Sequence, residues 1–135
     1  MQYLYVVVTG LHVLAGVYWA GTTIALARDQ EMRAEKFFPS QMRSAGLVML
    51  TGALLWYFFH GAYFGSIETV LAIGVVTAFA AALVLRSMVG SAWRQLPGVD
   101  VAGQTQLRAK MARGERIAAG LLVVTVVCMA TARMI

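Results

Sequence analysis

Four long apolar runs dominate this sequence, at residues 3–27, 43–64, 68–89 and 117–133. About 20 consecutive apolar residues are enough for a helix to cross the hydrocarbon core of a bilayer. The pattern therefore predicts an all-α integral membrane protein, a four-helix bundle with antiparallel, up-and-down helices.

The composition agrees with a membrane protein and excludes several other classes. Hydrophobic residues make up 60% of the chain and charged residues 13%. The net charge of +5 comes from Lys and Arg at the ends of the apolar runs, which indicates contact with a lipid bilayer and argues against nucleic acid as a partner. The single cysteine, Cys128, excludes an intrachain disulfide and a cysteine-based zinc site within one chain. No basic segment precedes the first run, so we expect no cleavable signal peptide.

The chain reads as a single transmembrane domain, residues 1–135. Residues 28–38 are charged but rich in good helix formers, so we expect the first helix to continue beyond the bilayer and to end before Pro39. The third helix reads as a packing helix, and the fourth begins in a basic amphipathic lead-in. The predicted helices cover residues 3–37, 43–64, 68–90 and 104–133.

Lys and Arg concentrate in the first and third connections, while the second connection has none. Positive residues favour the cytoplasmic side of a membrane. The distribution therefore predicts that both termini lie outside and both long connections lie in the cytoplasm.

The first apolar run carries His12 well inside its length. An ionisable side chain within a membrane helix is costly, and it normally faces the protein interior at a functional site. At helical spacing His12 shares a face with small or hydrogen-bonding residues: Thr9, Gly16, Trp19, Ala20 and Thr23. This face predicts close helix packing with room for a flat ligand beside the histidine.

His60, the only other histidine, lies near the far end of the second run, one turn after Trp56. On antiparallel helices the two histidines are predicted at similar depths in the outer half of the bilayer. Two such side chains can ligate one haem iron, and helix-bundle cores commonly hold haem. A histidine that only hydrogen-bonds a neighbouring helix is the simpler reading, and both stay open.

Copper is the alternative metal. Thioether and imidazole ligands that converge around Met49 and His60 would support it. Copper sites favour thioether and imidazole ligands that meet at one point. The remaining methionines are scattered along the chain, a pattern more typical of gap-filling packing residues.

The spacing of His12, Trp19 and Arg28, H-x6-W-x8-R, resembles the first helix of the HemJ proteins. It is also similar to the LH…W.G signature of CopD-type copper-resistance membrane domains. The segment GLVMLTG, Gly46–Gly52, is similar to the glycine pattern of their second helix, and the terminal VVCMATARMI looks like the ends of small CopD-like bacterial proteins.

The HemJ resemblance implies a haem b protein of the bacterial inner membrane with protoporphyrinogen oxidase activity, in which His12 is the ligand and Trp19 and Arg28 flank the porphyrin. The CopD resemblance implies copper uptake. HemJ proteins carry an important lysine in the third helix, and no lysine occurs between Glu68 and Val89. The resemblance therefore implies haem binding more strongly than oxidase chemistry.

The sequence thus predicts a haem b-binding membrane protein that exchanges electrons with a quinone or a membrane redox partner, or oxidises a porphyrin. The predicted cofactor site comprises His12 and His60 as metal ligands, with four further residues around them: Gly16, Trp19, Arg28 and Trp56. Glycine-rich helix faces predict a homo-oligomer. A copper-handling protein and a cofactor-free scaffold subunit are the two alternatives.

Overall fold

The apolar runs form helices that pack side by side, as predicted. The computed structural model describes residues 2–29 and 32–134. Helices α1 and α2 cover Gln2–Arg28 and Ala34–Phe59. Helix α3, Ser66–Val84, continues through a π-helical turn, Leu85–Val89, into the short α4, Gly90–Gln95. A 3-10 turn, Leu96–Gly98, then precedes α5, Val101–Ala132. The prediction of an all-α four-helix bundle is confirmed, with α3 and α4 together forming one of the four rods.

Within the described residues, three helical stretches are long and apolar enough to cross a membrane: Gln2–Arg28, Ser66–Gly98 and Val101–Ala132. Large apolar side chains on their outer surfaces are exposed. Leu14, for example, is 70% exposed and Val76 is 66% exposed. Contiguous exposed apolar surface of this kind is the expected surface of a lipid-facing protein. The chain is therefore a multi-pass membrane protein. Helix α2 carries Glu35, Lys36 and Arg43 in its first half, so its apolar part is shorter.

Helix α1 lies between α2 and α5, and α5 lies between α1 and α3. Helix α5 packs closely on α3 and on the π-helical turn that follows it, because of two glycines. A Cβ atom on Gly74 would lie 3.2 Å from Cβ of Cys128, and one on Gly114 would lie 3.0 Å from Cβ of Met88. Small residues at such points bring the backbones near enough for dispersion contacts, which hold membrane helices together.

The first boundary prediction, a helix over residues 3–37 that ends before Pro39, is wrong. Helix α1 ends at Arg28, and α2 begins at Ala34 and contains Pro39. The reason is a buried stripe on α2 at helical spacing: Ala34, Phe38, Gln41 and Ala45. Pro39 lies off this stripe, so packing of the stripe outweighs the one backbone hydrogen bond that proline cannot donate.

The other predicted boundaries, 43–64, 68–90 and 104–133, also need correction. Helix α2 ends at Phe59 because His60 has an extended backbone. The third rod continues to Gly98. In its last part the ring centroid of Trp93 lies 5.5 Å from that of Phe38 on α2. Helix α5 begins at Val101 because the Asp100 side chain accepts a hydrogen bond from the backbone N–H of Gly103, a typical N-cap.

Candidate functional site

His12 lies in the contact between α1 and α2. Its Nδ1 atom is 2.9 Å from Oγ1 of Thr51. The imidazole lies against the backbone of α2 because residue 52 is glycine: a Cβ there would come within 3.1 Å of Cε1 of His12. The predicted inward face of α1 is confirmed, since all six of its residues, from Thr9 to Thr23, are buried or half-buried.

The hydroxyl group of Thr51 lies close both to His12 and to the backbone of its own helix. Its Oγ1 is 2.6 Å from the carbonyl oxygen of Leu47, which can accept the hydroxyl hydrogen, and Oγ1 can in turn accept a hydrogen bond from Nδ1 of His12. In the tautomer with the hydrogen on Nδ1, Nε2 has the lone pair with which a neutral imidazole ligates a metal.

The surroundings of His12 on α1 are partly as predicted. A Cβ on Gly16, one turn further, would make an ordinary van der Waals contact with one atom, Cγ2 of Val48, at 3.9 Å. Trp19 is buried at 2% exposure in the core, and its Nε1 has no hydrogen-bond partner within the described residues. Arg28 is exposed in the last turn of α1, sixteen residues from His12 and so roughly 24 Å along the axis. The structure therefore does not place Arg28 with His12.

His60 belongs to a different cluster, at the connection between α2 and α3. Its Nε2 lies 3.0 Å from Oε1 of Glu68, and its ring stacks on that of Trp56 with centroids 4.4 Å apart. The other carboxylate oxygen of Glu68 accepts a hydrogen bond from the backbone N–H of Gly65, at 2.7 Å. These contacts position the start of α3. They also occupy the side chains of His60 and Trp56, which were both predicted to lie in the cofactor site.

The structure does not bring the two histidines together. His12 faces Thr51, and His60 follows nine residues later, which corresponds to roughly 13 Å along a helix. Two axial ligands of one iron have to lie on opposite sides of a single metal atom. The arrangement within one chain therefore offers one histidine ligand. Met49 is eleven residues from His60, roughly 16 Å, and packs against the core, so these two do not converge either.

A further cluster, which the sequence did not predict, is fully buried where α1, α2 and α5 meet. The side chain of Gln41 donates from Nε2 to Oγ1 of Thr23 and to Oε2 of Glu115, both at 3.0 Å. Gln41, Thr23 and Glu115 each have 0% exposure. Two acceptor atoms in the cluster, Oε1 of Gln41 and Oε1 of Glu115, have no hydrogen-bond partner among residues 2–29 and 32–134.

One signal in the sequence could have indicated this cluster. Glu115 is the only acidic residue between Val101 and Ala132, and it sits just before an apolar run. Because Arg113 and Arg116 are its neighbours, the sequence pattern indicates a basic amphipathic lead-in at this point. Gln41 gives no comparable signal, because its partner on α5 is 74 residues away.

A cavity of about 170 Å³ lies beside this cluster. It is bounded by α5, by the end of α1 and by the start of α2. Its polar lining is two carboxyl groups, Glu35 and Glu115, and two guanidinium groups, Arg33 and Arg108. Arg108 donates to Oε1 of Glu35 at 3.3 Å, while Oε2 of Glu35 is buried and has no partner among the residues that the structure describes. The cavity therefore joins exposed charged residues to a fully buried carboxyl group.

No family model, curated protein or solved structure matches this chain.

Proposed function

We propose that this membrane protein binds haem b through Nε2 of His12 and transfers electrons. The observation that carries the proposal is the 2.9 Å contact between Nδ1 of His12 and Oγ1 of Thr51. A histidine that ligates a metal usually donates its other N–H to a nearby oxygen, which fixes the ring orientation and raises its basicity. His12 has such a partner in Thr51, and in the tautomer that donates to Thr51 its Nε2 has the lone pair for a metal.

The residues around His12 fit a haem ligand in three respects. Gly52 leaves room for the imidazole against α2, and a Cβ at Gly16, one turn away, would touch a single side-chain atom, Cγ2 of Val48. His12 is half-buried in an apolar, membrane-spanning helix, where an imidazole with no role is costly. Haem iron held by histidine supplies one-electron chemistry, and the protein tunes its potential through the ligand and its hydrogen bond. In this proposal His12 ligates the iron, Thr51 orients the imidazole and Gly52 lets the imidazole lie against α2.

His60 is not part of the proposed haem site, because Glu68 and Trp56 already contact it. The redox partner is proposed to be a quinone or a membrane protein, and porphyrin oxidation of the HemJ kind is the enzymatic form of the same proposal. Both termini are placed outside a bacterial inner membrane, from the distribution of Lys and Arg.

A homo-oligomer is part of the proposal, and outward-facing glycines support it. A Cβ atom built on any of three glycines of α1 and α2 would meet no other atom within 4 Å: Gly10, Gly21 and Gly46. Glycines on an outer surface allow another membrane helix to approach closely.

Titration of purified, haem-free protein with haemin tests the proposal. We expect wild-type protein and His60→Ala to bind one haem per chain with a shifted Soret band. We expect His12→Ala to leave haemin with the spectrum it shows in detergent alone. Equal binding by all three proteins would overturn the assignment of His12.

The same preparations distinguish the two alternatives. Copper(I) bound with an affinity that depends on His12, together with no haem binding, would indicate copper handling. A protein that binds neither haem nor copper would be a cofactor-free scaffold subunit. Either result rejects the haem proposal.

A further inference from the structure

We propose that Glu115 is a proton-exchange site that water reaches through the cavity beside Leu26, Met32 and Arg33. The step is the transfer of one proton from hydronium to the Glu115 carboxylate, which gives the neutral acid and water. The proposal does not depend on haem or on His12, because Glu115 lies in a separate cluster.

The geometry of Glu115 carries this inference. The side chain has 0% exposure, yet it lines the cavity, and Oε1 has no partner in the part of the chain that the structure describes. Buried polar atoms are almost always hydrogen-bonded, so Oε1 requires either a proton of its own or a water molecule. A cavity of about 170 Å³ has room for several waters, and its polar lining provides partners for them.

The neighbours of Glu115 limit what its second oxygen can bind. Both N–H groups of the Gln41 amide are used, one on Thr23 and one on Oε2 of Glu115. Oε1 of Gln41 is an acceptor and has no proton to offer. The Gln41 amide therefore supplies no donor to Oε1 of Glu115. A donor can reach this atom from the cavity.

The lining of the cavity is not a typical site for a metal cation. The titratable groups that line it with Glu115 are Arg33 and Glu35, at the start of α2, and Arg108 on α5. The contributing residue of α1, Leu26, is apolar. The two carboxyl groups of the lining are thus accompanied by two guanidinium groups. In the part of the chain that the structure describes, no three His, Cys, Asp or Glu side chains are grouped to hold a metal.

The position of the cavity gives the direction of access. It lies at the end of the bundle where α1 stops and α2 starts, and its lining runs from the exposed Arg33 and Arg108 to the buried Glu115. An ionisable residue inside a membrane bundle with a route to the surface is a typical element of a proton relay. Protons are thus expected to enter from the side of the α1–α2 connection.

Infrared spectroscopy of protein in lipid vesicles tests this inference, because a protonated carboxyl group has a C=O stretch separate from the amide bands. We expect a carboxyl band that grows as the pH falls and moves to lower frequency on transfer to D2O. We expect Glu115→Gln to remove it. This substitution keeps the side-chain size, and the new amide oxygen can still accept from Gln41, so the fold is expected to survive.

Two control variants distinguish Glu115 from other groups. Glu68→Gln removes the other buried glutamate and should leave the band unchanged. Arg108→Gln removes a positive charge from the cavity lining, and the midpoint of the band's pH titration should then move to higher pH, since a nearby cation favours the carboxylate.

Three results would overturn the proposal. The first is no Glu115-dependent band at any pH at which circular dichroism shows folded protein. The second is a band that does not move in D2O. The third is a titration midpoint that depends on whether the salt is sodium or potassium, which would show a cation site instead.

Discussion

His12 and Thr51 face each other across the α1–α2 contact, with 2.9 Å between Nδ1 and Oγ1. Because the hydroxyl hydrogen of Thr51 can go to the backbone of α2, Oγ1 is placed to accept from Nδ1 and to hold the imidazole in one orientation. In that tautomer Nε2 of the half-buried histidine has the lone pair with which imidazole ligates a metal.

Thr51→Val tests the role of this hydrogen bond. Valine has the shape of threonine without the hydroxyl group, so helix packing should be retained while His12 loses its partner. Loss of such a supporting hydrogen bond typically reduces metal affinity about 10- to 100-fold. We expect a haem dissociation constant raised by that factor in a Soret titration. Thr131→Val, on the exposed end of α5, is the matched control, and equal weakening in both variants would contradict the account.

The His60–Glu68 pair is expected to stabilise the α2–α3 connection without affecting haem. Glu68→Ala removes the partner of His60 and the acceptor for the backbone N–H of Gly65. The start of α3 then loses a cap, and the melting temperature in detergent should fall. Haem binding should be unchanged when measured well below that temperature. A weaker Soret band at full folding would place this cluster in the cofactor site after all.

The cluster of Gln41 and Glu115 is expected to be costly to break. Gln41→Met keeps the length of the side chain but replaces the polar amide by an apolar thioether. Oε2 of Glu115 and Oγ1 of Thr23 then stay buried without their donor. An unpaired buried polar group costs about 1–3 kcal/mol. We expect a loss of stability of that size in reversible unfolding by detergent mixtures. Gln106→Met, at an exposed position on α5, should be near neutral. Similar effects of the two changes would show that the cluster contributes no stability.

The helices and the inward face of α1 could be predicted from sequence, since both follow from local periodicity. The boundaries could not, because tertiary packing decides them: Phe38 lies against Gly90 and Trp93, which draws residues around Pro39 into α2. The partners of His12, His60 and Glu115 are also tertiary. Thr51 is 39 residues from His12, and nothing local to either residue indicates the pair.

Gly74 and Gly120 form a matched pair for testing the α3–α5 contact. A leucine at Gly74 would collide with Cys128 and Met129, since even its Cβ would lie 3.2 Å from both side chains. Overpacking of this kind typically costs about 1–3 kcal/mol. Gly120→Leu meets open space, and its effect on stability in the same detergent assay should be small. Equal destabilisation by both variants would argue against the packing of α3 on α5.

The proposed orientation can be tested with single cysteines in a Cys128→Ser background. Ala62 lies in the α2–α3 connection and Gln106 in the basic segment of α5. In intact cells, a membrane-impermeant maleimide should label Ala62→Cys, and Gln106→Cys should react only after the membrane is permeabilised. The reverse pattern would invert the topology and place the Glu115 cavity on the outer side.

Rescue of His12→Gly by imidazole tests the central claim most directly. The reduced-minus-oxidised spectrum of the purified variant should lack the haem bands of the wild-type protein. Added imidazole should restore them, because the free ligand can occupy the space that the side chain leaves. Haem bands in His12→Gly without imidazole, at wild-type intensity, would contradict His12 as the ligand of the iron.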